Sequence, residues 1–130
     1  MSMSPRCAAL ALTMLLAAPA LAQSGTGWHG IGQAVAPADA GSVTIAAHGE
    51  PGDHEIMVCI EGHVMRLNQA TLHFQGGGTQ GLRFSERVAD GGCSIGKSLT
   101  GRNRAVESAD VTYDQAILAG GTARVQLFVR

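Results

Sequence analysis

The chain has 130 residues, and its nine Lys and Arg against ten Asp and Glu give a formal charge of −1. That near-balance supplies no general field for DNA, RNA or an anionic membrane, and the length suits one domain around one core. Aromatic residues are 4% of the chain, and none interleaves with the clustered Lys97, Arg102 and Arg104 as the stacking platform that single-strand binding requires.

Residues 1–22 read as an export signal. Arg6 supplies the positive charge, Cys7 to Ala18 the apolar run, and Ala20-Leu21-Ala22 the small-residue cleavage motif. Cleavage before Gln23 leaves residues 23–130 as a single β-rich domain of net charge about −2. The expected location is periplasmic or secreted, where disulfides persist. The signal's apolar stretch is too short and too Ala-rich for a membrane span, and no later run approaches about twenty residues. No stable membrane span is therefore expected after signal cleavage.

Gln23 to Gly27 forms a polar lead-in, and Trp28 to Ala36 a first strand of indistinct period carrying Ile31 and Val35. Pro37 to Gly41 is a turn, after which Val43 and Ile45 alternate into a short strand. Glu50-Pro51-Gly52-Asp53 is a strong turn signal. His54 to Ile60 is the clearest strand, with Ile56, Val58 and Ile60 on one face and Met57 and Cys59 on the other. Glu61-Gly62 can turn the chain into Val64 to Leu67, and Asn68 and Gln69 then break or bend it. Ala70, Leu72 and Phe74 alternate with Thr71, His73 and Gln75 as a half-buried strand.

Gly76 to Gly81 is a flexible connection into Leu82, Phe84 and Val88, an alternation interrupted by Glu86. Ala89 to Gly92 turns into Cys93 to Leu99, and Gly101-Arg102-Asn103-Arg104 leads tightly into Val106 to Tyr113. A short helical turn is expected near Tyr113 to Ala119, where strict alternation lapses. Gly120-Gly121 supplies the turn a hairpin requires, and Val125, Leu127 and Val129 then alternate along a final strand. Seven to nine short strands with these turns predict an all-β fold, a small antiparallel β-sandwich or compact barrel.

With Cys7 removed, Cys59 and Cys93 remain, and one disulfide between them is the economical reading. Closing a loop of about 35 residues stabilises a fold by roughly 4 kcal/mol in the chain-entropy account. The spacing is not that of a CxxC redox pair.

Gly76, Gly78 and Gly81 spell a GxGxxG pattern, but the residues that follow read as strand, not as the helix whose amino end would hold a pyrophosphate. The five histidines form no close ligand pair on one element. Met57, Met65, His54 and His63 converge on a soft-ligand site only if a hairpin brings them together, and a two-residue turn at Glu61-Gly62 would point Met57 away. Ser85, Ser94, Ser98 and Ser108 are candidate nucleophiles outside any GxSxG motif, with Asp90, Asp110 and Asp114 as carboxylates and His73 as a candidate base. Lys97, Arg102 and Arg104 are the basic residues clustered in sequence. They offer an interaction site for an anion or polysaccharide, or structural caps on carbonyls and carboxylates. Trp28 suits either a sugar platform or a cover for the core, and Tyr113 suits a buried ring with a solvated hydroxyl.

Trp28-His29-Gly30-Ile31-Gly32, Gly91-Gly92-Cys93-Ser94-Ile95, the stretch Leu99 to Val106 and Val111-Thr112-Tyr113 together resemble a family of small exported bacterial proteins, DUF2541. The resemblance covers nearly all of the mature chain. It implies a secreted β-rich domain and brings no catalytic residues with it. The expected function is a non-catalytic, envelope-associated binding module whose partner is an envelope protein or polymer, engaged through a sheet edge or the Lys97/Arg102/Arg104 end. A periplasmic metal- or small-ligand-binding protein and a small hydrolase are the alternatives. No cofactor and no nucleic acid are expected.

Overall fold

A computed structural model describes residues 27–37, 39–101, 104–114 and 121–130. The export signal, Arg102 and the expected helical turn beyond Asp114 lie outside the described residues. Those described form eight strands and no helix: β1 (His29–Ala36), β2 (Ser42–Ala46), β3 (Glu55–Glu61), β4 (Met65–Phe74), β5 (Thr79–Val88), β6 (Lys97–Ser98), β7 (Val106–Tyr113) and β8 (Ala123–Val129). They build two antiparallel four-stranded sheets, ordered β1-β8-β3-β6 and β2-β7-β4-β5. The all-β expectation is met, and as a sandwich.

Period-two alternation puts the apolar faces together. Ile56, Leu72 and Leu127 are at most 1% exposed, and Phe74, Ile45, Ile60, Met65 and Leu67 fill the same layer. Two turns expected to make hairpins instead carry the chain between sheets. β3 pairs with β6 and β8 while β4 pairs with β5 and β7, so Glu61-Gly62 leads out of the first sheet into the second. Likewise β7 pairs with β2 and β4, and β8 with β1 and β3, so the segment ahead of β8 closes no hairpin. Alternation sets which face a residue occupies, not which strand it pairs with.

The two seams between the sheets differ. At β1–β2 the backbones touch: the His48 amide donates to the Ile31 carbonyl at 2.9 Å, and a Cβ on Gly32 would stand 2.2 Å from the Ala46 oxygen. At β5–β6 side chains bridge the gap. The Gln80 carboxamide donates to the Ser98 carbonyl and accepts from the Thr100 amide, at 3.1 and 3.0 Å. Glu86, which interrupted the alternation in sequence, accepts from the Ile95 amide at 3.4 Å. A carboxamide spans this seam where a closed barrel would need a backbone ladder.

Only Lys97 and Ser98 of the expected Cys93–Leu99 strand are regular. The residues before them cover the β3 edge irregularly. The Ile60 amide donates to Gly92, Ser94 donates to Val58, and the Ser94 hydroxyl accepts from the Val58 amide at 3.0 Å. Cys59 and Cys93 are joined by a disulfide at this edge.

Candidate functional site

Of the basic residues clustered in sequence, Lys97 and Arg104 each lie over an aromatic ring. The Arg104 guanidinium lies 3.8 Å from the centre of the Phe74 ring and donates to the Thr100 carbonyl at 3.1 Å. The Lys97 ammonium sits 5.6 Å from the Phe84 ring centre. Both cations cover apolar surface near the β5–β6 seam, and Arg102 lies outside the described residues.

The soft-ligand group is taken apart by the change of sheet. Met65 is fully buried in the core, Met57 is half-buried on the opposite side of β3, and His54 is exposed. The His63 Nδ1 lies 2.7 Å from the Val64 carbonyl oxygen. Among the described residues no three His, Cys, Asp or Glu side chains are grouped to hold a metal ion.

The hydrolase residues partly converge, on the outer face of the second sheet. His73 Nε2 is 2.9 Å from Asp110 Oδ2, Thr44 donates to Asp110 Oδ1 at 2.6 Å, and Ser108 stands opposite His73 in register. The Thr44 hydroxyl, and then the His73 hydrogen bond, hold the Asp110 carboxyl below its ordinary pKa. This is an open sheet face on which His73 and Asp110 keep 38% and 46% of their side-chain exposure. It lacks the enclosure that makes such groups act on a substrate away from water. Ser94, another candidate nucleophile, is buried in the β3 edge contact. The Tyr113 ring is buried too, but its hydroxyl is not left in water: it donates to the Pro37 carbonyl at 2.5 Å. Burial raises its pKa, against a lowering influence from the backbone at Gly41.

The outer face of the first sheet is different in kind. Phe128 alternates with the core residues Leu127 and Val129 and therefore points away from the second sheet, yet it is only 7% exposed. Gly30 opposite it has no side chain, and a Cβ there would meet the Phe128 ring at 3.5 Å. The Trp28 indole covers this face as well. It lies beneath the Arg130 guanidinium at 4.5 Å and against Gly96, whose added Cβ would stand 3.1 Å from the ring. Trp28 thus covers the Gly96 and Arg130 end of this sheet, and Phe128 and Cys59 are buried outside the central core.

A register shift between Gly30 and Gly32 opens a hollow of about 280 Å³ on this face, lined by Gly30, Ile31, Gly32, Gln33, Gln126 and Phe128. Gln126 Nε2 donates to Gln33 Oε1 at 3.4 Å across it. A second hollow of about 320 Å³ lies beyond, among Val35, Glu61, Gly62, Thr122, Ala123 and Arg124. Phe128, Gln126 and Arg124 share one side of β8 at every second residue, so the two hollows follow one strand pair over about 13 Å. The arginines at its ends are neutralised: Arg124 pairs with Glu61 at 3.1 Å and Arg130 with Glu55 at 2.5 Å. Sequence reading did not single out Gln33, Gln126 and Phe128. The paired glycines of Gly30-Ile31-Gly32 were the available signal, since glycine inside a strand marks a bulge or a close approach.

Fold and site together define a disulfide-linked antiparallel β-sandwich with an amide- and aromatic-lined track on one face. The sequence matches the family described as Domain of unknown function (DUF2541) over residues 9–129, and the chain belongs to that family. No curated protein matches it. A solved structure from the structural and functional characterization of Pseudomonas aeruginosa AlgX is similar at a TM-score of 0.49 and 13% identity. The similarity covers 78% of this chain and 26% of that one, so the chain spans about a quarter of that protein's length.

Proposed function

We propose that the chain is an exported, non-catalytic binding module of the bacterial envelope that holds a neutral, hydroxyl-rich polymer on the outer face of its first sheet. The single observation that carries this reading is the pair of hollows in line along β1 and β8, with the Gln33–Gln126 carboxamides between them. The hollows are open to solvent and small, about 280 and 320 Å³, a size suited to one unit of an extended chain lying along the surface. Carboxamides both donate to and accept from hydroxyl groups, and the Phe128 edge and glycine backbone give a sugar ring an apolar floor. The neutralised arginines argue for an uncharged ligand. The disulfide supports an oxidising location. The β5–β6 and β1–β2 edges face one another across the seams, which favours a face over an edge as the binding surface.

Affinity electrophoresis of the oxidised protein through gels containing neutral or anionic polysaccharides tests this. Retardation by at least one neutral polysaccharide, lost in a Gln33→Ala/Gln126→Ala variant that melts like the parent, is expected. Free migration of the parent through every neutral gel would overturn the reading.

A further inference from the structure

The register of the β4–β5 hairpin gathers three arginines that are scattered in sequence. Arg66 and Arg87 are directly opposed partners, and Arg83 stands opposite Gln69 on the same outer face of the second sheet. Their neighbours Met65, Val88, Leu82 and Phe84 point into the core, which fixes all three arginines outward, and all three are exposed. A bulge at Leu67–Gln69 and the positive φ of Ser85 (46°) set this register. Like charges directly opposed across an antiparallel pair destabilise a sheet. Among the described residues no ion pair relieves this repulsion. The ion pairs among the described residues are His29–Asp53, His73–Asp110, Arg124–Glu61 and Arg130–Glu55, and none includes these arginines. Asp110, on the same face, is held by Thr44 and His73. Asp114, whose amide donates to the Arg66 carbonyl at 3.0 Å, brings one carboxylate to the end of the row against three guanidiniums.

We infer that this face docks on an anionic lipid surface, with Arg66 and Arg87 clamping phosphate headgroups and Arg83 adding a third contact. Two observations choose the occupant. An uncompensated like-charge pair is complementary to an anion, and guanidinium is the side chain that meets phosphate in a bidentate fork. The surrounding positions Ser42, Thr44, Thr112, Gln69 and Thr71 are uncharged and polar, with Asp110, bound to Thr44 and His73, the carboxylate among them, while the two hollows described above lie on the opposite side of the sandwich. A flat polar face carrying clustered cations matches a plane of headgroups. The net charge of the whole chain is near zero, so the attraction belongs to this patch alone. It is independent of the polymer track, which uses other residues on the other sheet.

The experiment is co-sedimentation of the oxidised protein with vesicles of phosphatidylcholine alone or mixed with phosphatidylglycerol, at low and high salt. Binding only to the mixed vesicles, weakening as salt rises, is expected. Arg66→Gln/Arg87→Gln should weaken it roughly thirty-fold, about what two basic side chains supply at an anionic membrane surface. Arg124→Gln, on the opposite face, should not weaken it. Arg87→Gln removes a repulsion, so its melting temperature should equal or exceed the parent's, which separates lost binding from lost folding. Inorganic phosphate and a soluble anionic polysaccharide serve as competitors. Equal binding to both vesicle types, unchanged binding by the double variant, or capture by the polysaccharide without capture by vesicles would overturn the proposal.

Discussion

The Trp28 indole and the Arg130 guanidinium stack 4.5 Å apart, joining the residue ahead of the first strand to the residue after the last. Arg130 is held from its other side by Glu55, and the indole edge fills the space left by Gly96. Trp28→Ala removes a large half-buried ring together with a cation–π contact of about 0.5–1 kcal/mol. A loss of about 2–3 kcal/mol is expected, below the cost of a fully buried Trp. Chemical denaturation of parent and variant measures it, and equal midpoints would show that the indole covers nothing of consequence.

Reduction of Cys59–Cys93 should lower stability by about 2–4 kcal/mol without abolishing the fold. The backbone bonds from Ile60 to Gly92 and from Ser94 to Val58 hold the same edge independently of the sulfurs. Thermal melts with and without reductant, read alongside far-ultraviolet circular dichroism, should show an earlier transition from an unchanged β-sheet spectrum. Loss of that spectrum at room temperature would contradict this.

Asp110 gives the molecule an acid-sensitive contact. Its folded pKa lies below the unfolded value, because the Thr44 hydroxyl and then His73 favour the ionised form. The contribution is therefore present above the ordinary aspartate pKa of about 3.9 and is lost as pH falls through the lower folded value. The stability difference between parent and Asp110→Asn should be largest near neutrality and shrink in acid. A difference that grows as pH falls would reverse the assignment.

Two glycine substitutions should behave in opposite ways. Gly32→Ala drives a methyl group to 2.2 Å from the Ala46 carbonyl, backbone against backbone, and should cost more than about 2 kcal/mol or prevent folding. Gly81→Ala, within β5, meets nothing within 4 Å and should change stability by less than about 1 kcal/mol. Expression yield and melting temperature of the two variants make the comparison.

The alternation of Ile56-Val58-Ile60, Ala70-Leu72-Phe74 and Val125-Leu127-Val129 made the strands and their buried faces legible, and Cys59 and Cys93 made the bridge legible. Strand partners were not, because a glycine-bearing turn reads alike whether the next strand returns beside the last or crosses to the other layer. The same blindness affected the surface. Lys97 and Arg104, close in sequence, lie over Phe84 and Phe74, with Arg104 also donating to the Thr100 carbonyl. Arg66 and Arg87 were brought together only by the hairpin. Gly76 to Gly78 marked that hairpin's turn, and counting outward from it through the bulge gives the pairing. Gln33 and Gln126 share a row because β1, the first strand, lies beside β8, the last, and no local pattern announces such a distant pairing.

The unequal seams make the sandwich resemble a book. Gly32 against Ala46 is a stitched spine, where main chain grips main chain. Gln80 is the clasp on the opposite cover. The clasp side is thus expected to part first, so the Thr100 amide should exchange its hydrogen early, while those along the spine should keep theirs until the whole fold opens.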